Sequence, residues 1–340
     1  DVSLVGSEMC IRDRNMGIGV FILELVTPIM ESMAPHMPGE TFPKFFTLEM
    51  FQRSLLAAVM VAIVGGFLGS FLLIRNLALI GDGLAHVSFG GVAVGIVIGA
   101  ASPLWYALVF STIASILIYE LQSREILTGD ASIAIFLTGM LAFGLVLLRY
   151  SGVGITVQVE SYLWGSLLLT SSDDLDLIAL ISIASLLQIT FIRSALLATT
   201  VDPLASLVQG LPVRAIGLLF SCITAAVVVS MVQVVGTLLV TALLVTPAAT
   251  AQLVGRSFRS CLAWTQFFGL SSVFLGLYFS AELDTGSGAM IALVAAIIFS
   301  IVALPKFFVL FNPSNLDRLS TQIPLDMPES SVIEVESEVK

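Results

Sequence analysis

The 340-residue chain has little charge: 11% of its residues are charged, against roughly a quarter in soluble proteins. Histidine occurs twice and cysteine three times, and no cysteine pair has metal-binding or redox spacing. No phosphate-binding loop of the form Gly-x4-Gly-Lys-Ser/Thr occurs, so the chain is not expected to bind nucleotide in that way. No long basic run suggests a nucleic-acid partner either. With 57% hydrophobic residues, these absences predict a polytopic membrane protein.

Apolar runs long enough to cross a bilayer recur from Phe51 onward. They predict an all-α protein with about nine transmembrane helices, at 51–74, 80–100, 103–121, 131–149, 174–198, 213–234, 236–255, 260–281 and 287–304. Eight spans remain possible if a weaker segment is re-entrant. The candidates for this are the two runs that meet at Val235 and Gly236, and the short apolar stretch 162–169.

Arginine and lysine indicate the orientation, because they are enriched on the cytoplasmic side of membrane proteins. With the N-terminus outside, the inner ends hold Arg75, Arg124, Arg193, Arg214, Arg256, Arg259 and Lys306. The outer loops then hold only Lys44, Arg53 and Arg149. This distribution predicts a cytoplasmic C-terminus.

The regions outside the spans are assigned from composition. Residues 1–15 resemble a translated sequencing adaptor and are expected to be a non-native leader. Residues 16–50 are expected to form an extracytoplasmic or interfacial segment, because their apolar stretch 17–30 is shorter than a span. Residues 51–305 form the predicted transmembrane domain, and the acidic tail 306–340 is expected to be cytoplasmic and disordered.

Asp82 and His86 are the pair most suggestive of function. Residues four apart share one face of a helix, and an aspartate within a span costs about 2.5 to 3.5 kcal/mol, so such residues are usually functional. Carboxylate and imidazole suit Zn, Mn and Fe(II). On the opposite face, Gly91, Gly95 and Gly99 are predicted to pack against a neighbouring helix. A purely structural hydrogen bond between the two side chains is the alternative.

The segment 202–212 lies on the predicted cytoplasmic side. Asp202 is a good N-cap with Pro203 at the first helical position, and Gly210 and Pro212 end the helix after about two turns. It is predicted either to be an ordinary capped connector or to dock into a soluble motor subunit.

Several of these stretches together resemble the permease subunits of zinc, manganese and iron ABC importers. The first is LIRNLALIGDGLAH at 73–86, and the others lie at 90–95, 129–133, 160–167, 202–212, 235–251 and 284–289. The resemblance covers roughly residues 48–305. It implies a fold like that of type II ABC importer permeases.

The resemblance also implies a function. Two copies would form the pore in the bacterial cytoplasmic membrane, with a cytoplasmic ATP-binding subunit and an extracytoplasmic metal-binding protein as partners. The metal ion would be the cargo, with no permanently bound cofactor and no enzymatic activity in this chain. Asp82 and His86 match the metal-coordinating pair. Asp202, Pro203, Ala205, Gly210 and Pro212 match the coupling element.

Two acidic residues each have two possible roles. Glu160 is either at the mouth of the pathway or a solvated loop acid, and Asp284 is either a pathway residue or the N-cap of the last span. Two alternative functions also remain. One is a permease for an iron chelate or corrinoid, for which an Asp/His pair is unexpected; the other is an ion-coupled secondary carrier, which usually has several intramembrane acids.

Overall fold

The protein is described here by a computed structural model that covers residues 17–100, 102–154, 157–165, 171–237 and 240–310. Every regular element in these residues is helical, as predicted. The α-helices are α1 (Ile18–Met33), α2 (Glu49–Ile74), α3 (Ile80–Ile98), α4 (Leu104–Ser123), α5 (Gly129–Tyr150), α6 (Val157–Trp164), α7 (Ser172–Val201), α8 (Pro203–Val208), α9 (Val213–Val235), α10 (Val240–Leu244), α11 (Thr246–Val254), α12 (Phe258–Leu283) and α13 (Ser287–Leu310). Short 3-10 helices lie at Ala34–His36 and Phe42–Phe46. The predicted leader 1–15 and nearly all of the tail lie outside the described residues.

The long helices form a bundle whose two ends differ in charge. At one end, Arg75 after α2 donates from Nε to Thr200 near the end of α7 at 2.9 Å, and Arg214 of α9 pairs with Glu120 of α4. We call this the arginine end. At the other, Glu282 near the end of α12 accepts the backbone N–H groups of Thr41 and Phe42 at 2.9 and 3.0 Å. We call it the acidic end; it also holds Glu49, Asp173, Asp176 and Asp284.

One predicted span is interrupted rather than continuous. The segment 236–255 contains two short helices, α10 and α11, separated by a turn at Val245. Pro247 in the first turn of α11 has no backbone N–H and disfavours a helical conformation in the residue before it, which accounts for the interruption. The segment still runs from the acidic end, beyond Val235, to the arginine end at Gly255.

The described residues nevertheless contain nine helices that are long and apolar enough to cross a membrane. Eight match predicted spans. The ninth is Ile18–His36, formed by α1 and the 3-10 turn that continues it, so the helical stretch is longer than the apolar run had suggested. By length and composition, the nine candidates therefore differ from the nine predicted spans in one member, with Ile18–His36 in place of the broken segment 236–255.

Helix α1 contacts the bundle at its acidic end. The Val20 N–H donates to Asp176 in the second turn of α7 at 3.0 Å, and Thr27 lies 3.4 Å from the side chain of Gln52 in the first turn of α2. Leu23 and Met30 are buried on the same side. Because it contacts the starts of two long helices, α1 lies across this end. These contacts favour the predicted interfacial position, which stays a prediction.

Two glycines of α3 allow α4 and the residue before it to pack closely against this helix. A β-carbon at Gly91 would lie 2.7 Å from the Tyr106 carbonyl oxygen of α4, and one at Gly95 would lie 2.9 Å from Pro103. The predicted close packing of this face is thus confirmed for these two residues. Gly99 has a different role, because it adopts φ +75° and ends the helix.

Candidate metal site and coupling segment

Asp82 and His86 lie one turn apart in the first half of α3. His86 is buried, with 6% of its surface exposed, and Asp82 is half-buried. The Thr241 hydroxyl of α10 donates to Asp82 Oδ1 at 3.2 Å. His86 Nδ1 has no hydrogen-bond partner among the described residues. A buried imidazole nitrogen without a partner costs free energy unless a ligand or water satisfies it, so this atom is available to a cation.

Close backbone packing brings α10 to α3. At Gly81, a β-carbon would lie 2.6 Å from a methyl group of Leu244, and at Gly69 of α2 it would overlap the Leu244 carbonyl oxygen. The break between α10 and α11 therefore lies against both α2 and α3. This packing holds Thr241 opposite Asp82. Spacing within α3 predicted the Asp/His pair, but nothing in the sequence predicted Thr241 as its neighbour.

The metal ligands are incomplete within one chain. No group of three or more His, Cys, Asp or Glu side chains in the described ranges is placed to hold a metal ion. Asp82 and His86 would supply two ligands, and zinc sites commonly use four. The remainder would have to come from water, from neutral oxygen atoms or from a second copy of the chain. Such a site suits a passing ion better than a resident cofactor.

The segment 202–212 has the local structure that its sequence predicts. Asp202 accepts the Ala205 N–H at 2.9 Å and caps α8, Pro203 is its first residue, and Gly210 has φ +81°. Pro212 then precedes α9. Apolar side chains of α8 are exposed at the arginine end, with exposed fractions of 77% for Leu204 and 89% for Val208.

Arg75 connects the end of α7, just before this segment, to the turn that precedes α3, a contact that sequence reasoning missed. Its guanidinium binds the hydroxyls of Thr200 and Thr199, at 2.9 and 3.4 Å, and lies 4.5 Å from the ring centroid of Phe220. Thr200 is two residues before Asp202, and α3 begins five residues after Arg75. The signal in the sequence was an arginine within the polar break between two spans.

Glu160 and Asp284 lie at the acidic end. Glu160 is exposed on α6. Asp284 ends α12 with φ +51°, rather than capping α13, which begins at Ser287. It lines a cavity of about 250 Å³ together with Thr41, Phe45 and Gly165. Neither residue contacts Asp82 or His86 through a hydrogen bond that the structure describes.

Apolar spans around a half-buried acid and a buried imidazole, with a capped apolar helix exposed at one end, define a multi-pass membrane protein of the permease class. A family model described as the ABC 3 transport family matches residues 47–306. The chain belongs to this family.

Known proteins similar to the chain carry transport names. It is 34% identical over 268 residues to the "Manganese transport system membrane protein MntC" of Halalkalibacterium halodurans, covering 78% of this chain and 90% of that one. It is 30% identical over 254 residues to the "High-affinity zinc uptake system membrane protein ZnuB" of Haemophilus influenzae, covering 74% and 95%.

Solved structures support the fold. "PsaBC from Streptococcus pneumoniae in complex with Fab" matches with a TM-score of 0.68 and 31% identity, covering 76% of this chain and 92% of that one. An inward-facing "putative metal-chelate type ABC transporter" matches with a TM-score of 0.66, covering 84% and 98%. At 16% identity, the second likeness concerns the fold alone.

Proposed function

We propose that this chain is the permease subunit of an ATP-driven importer of divalent metal ions of the Zn, Mn and Fe group. One observation carries the proposal: a buried histidine with a free Nδ1 lies one turn from a half-buried aspartate in a transport-family protein. Relatives named for manganese and zinc transport support the substrate class. The metal is cargo, and no permanently bound cofactor is proposed.

The mechanism is alternating access in a homodimer. The ion enters from the acidic end, is held briefly by Asp82 and His86, and leaves at the arginine end. Two ligands per subunit bind weakly enough for release, and the second copy can complete the coordination.

The partners follow from what the chain lacks. Without a phosphate-binding loop it is not expected to hydrolyse ATP, so a separate ATP-binding subunit would dock at α8 and the rest of segment 202–212. An extracytoplasmic metal-binding protein would deliver the ion at the acidic end. The clustering of arginines supports a cytoplasmic arginine end and C-terminus, with the N-terminus outside in a bacterial cytoplasmic membrane.

Reconstitution tests the proposal. The chain is co-expressed with a candidate ATP-binding subunit, placed in proteoliposomes and supplied with a delivery protein loaded with Mn²⁺ or Zn²⁺. ATP-dependent uptake of either ion is expected. Uptake of an iron chelate but of neither free ion would favour the chelate-permease alternative, and uptake driven by an ion gradient without ATP would favour a secondary carrier.

Charge reversal at Asp202 should weaken docking of the ATP-binding subunit. Asp202→Lys removes the α8 cap, at a cost of about 1 kcal/mol, and places a cation on the proposed docking surface. Asp202→Asn keeps the capping oxygen and separates the two effects, because asparagine caps as well as aspartate. We expect co-purification of the ATP-binding subunit to fall severalfold for the lysine variant and to change little for the asparagine variant.

Glu125→Lys is the control for this experiment, since Glu125 is exposed at the same end of the bundle but outside the segment. It is expected to leave co-purification unchanged. Full recovery of the ATP-binding subunit with Asp202→Lys would remove the docking role from this segment.

Replacing Arg75 should uncouple ATP hydrolysis from transport. Arg75→Gln loses the charged fork that joins the α2–α3 turn to Thr199 and Thr200, so movement of the docking segment would reach α3 less effectively. We expect fewer metal ions transported per ATP hydrolysed, measured as uptake and ATPase rates in one preparation. Arg124→Gln is the control, because Arg124 makes only an exposed pair with Glu120. Equal transport-to-ATPase ratios in both variants would contradict the prediction.

A further inference from the structure

Two further buried oxygen atoms, at the end of α9 and just before α10, lack partners among the described residues. Thr237 Oγ1 and Gln233 Oε1 have no hydrogen-bond partner among the described residues, and neither does His86 Nδ1. Thr237 is completely buried. An unpaired buried polar atom costs about 1 to 3 kcal/mol, so several of them in one region of a membrane bundle indicate a ligand or water.

The contacts between α10 and α3 show on which side of the Asp82/His86 pair Thr237 lies. The two helices run antiparallel, since Gly81 packs on Leu244 and Asp82 binds Thr241. Thr237 comes four residues before Thr241, and His86 comes four residues after Asp82, so both lie toward the acidic end from the contact between Asp82 and Thr241.

A contact with helix α6 gives independent evidence for the position of Thr237. The Thr237 N–H donates to the Tyr162 carbonyl oxygen at 3.0 Å. The next residue, Leu163, packs against the buried cluster that contains Phe89 of α3. Phe89 is three residues beyond His86, so α6, which binds the Thr237 N–H, packs on the half of α3 that follows His86.

Gln233 is the least buried residue in this part of the chain. Between Val227 and Thr237 it is the one residue that is not fully buried. A hydrogen bond joins its side chain to the Tyr162 hydroxyl, and Oε1 is the atom left without a partner, so the carboxamide nitrogen is the donor. The free carbonyl oxygen is therefore available to a cation.

We infer that Gln233 Oε1 and Thr237 Oγ1 form a second ion position, adjacent to Asp82 and His86 on their acidic-end side. It would take a divalent cation that prefers oxygen ligands, as Mn²⁺ does more than Zn²⁺. Neutral oxygen atoms hold the ion weakly, so it can move on to the charged pair. This inference rests on the proposed function and adds ligands that contribute to metal preference.

The test compares Mn²⁺ and Zn²⁺ uptake by the reconstituted wild-type complex and by Thr237→Val, Thr237→Ser and Gln233→Leu. Thr237→Val preserves shape and removes the oxygen atom, whereas Thr237→Ser keeps it. Losing one ligand worth about 1 kcal/mol should lower Mn²⁺ uptake at subsaturating concentration about fivefold, with a smaller effect on Zn²⁺. Thr237→Ser should restore the wild-type ratio. Gln233→Leu should behave like Thr237→Val.

Ser182→Ala is the matched control, since Ser182 Oγ is another buried atom without a partner in the described structure, but it lies in α7. It is expected to leave both rates unchanged. Unchanged Mn²⁺ uptake, or equal losses for both ions, in Thr237→Val and Gln233→Leu would overturn the inference. If Thr237→Val does not assemble, Gln233→Leu decides in the same way. A wild-type complex that carries neither ion would instead refute the proposed function.

Discussion

Asp82→Asn and His86→Gln are each expected to lower metal uptake by about two orders of magnitude while the protein still inserts and assembles. Both substitutions keep the approximate size of the side chain. Asparagine can still accept the Thr241 hydroxyl, so contact with α10 is retained, while the charge that attracts the cation is lost. Glutamine at 86 removes the imidazole nitrogen that has no partner in the described structure. Uptake of Mn²⁺ and Zn²⁺ by proteoliposomes measures the loss.

Ser88→Ala is the control within the same helix. Ser88 is buried, but its hydroxyl donates to the Ala85 carbonyl oxygen at 2.6 Å, so it is satisfied locally and is expected to be dispensable. Size-exclusion profiles and co-purification of the ATP-binding subunit establish that each variant is assembled. Normal uptake by assembled Asp82→Asn and His86→Gln would leave the pair with a structural role only.

Eight of the long helices were predictable because lipid imposes a simple constraint. A chain that crosses the bilayer must satisfy its backbone hydrogen bonds internally, so each continuous apolar run becomes a helix of nearly the same length. The predicted span 213–234 is observed as Val213–Val235, and 51–74 as Glu49–Ile74. Polar breaks and glycine or proline residues then fix the ends to within a few residues.

The broken segment 236–255 was harder to predict because hydropathy does not report continuity. Its residues are as apolar as those of an unbroken span, and the interruption depends on Pro247 and on Gly236, which adopts φ +86°. A β-carbon at Gly236 would crowd the backbone of Trp164 on α6. Such crossings of two backbones are tertiary features, so a sequence pattern suggests that a glycine matters without indicating its partner.

The candidate site was likewise predictable only in part from the sequence. Asp82 and His86 belong to one helix, and their spacing alone places them on one face. Thr241 comes from a segment 159 residues further along the chain, and only the packing of α10 on α3 brings it near Asp82. Arg75 likewise gains its partners through the approach of α7.

Gly69→Val is expected to disrupt the fold around the site more than any conservative change within it. A β-carbon at Gly69 would overlap the Leu244 carbonyl oxygen, which is backbone at the α10–α11 break and cannot move aside like a side chain. Helix α2 would have to separate from this segment, at a cost of about 3 kcal/mol or more, and Thr241 would shift away from Asp82. We expect a melting temperature several degrees lower, measured by fluorescence-detected size exclusion after heating, and loss of metal uptake.

Gly139→Val is the matched control, because nothing lies within 4 Å of a β-carbon at that exposed position of α5. Valine is a slightly better helix former than glycine, so assembly and uptake should stay close to wild type. Wild-type melting and transport in Gly69→Val would show that α2 and the α10–α11 break can separate freely. The packing of α2 against the α10–α11 break would then no longer explain how Thr241 is held opposite Asp82.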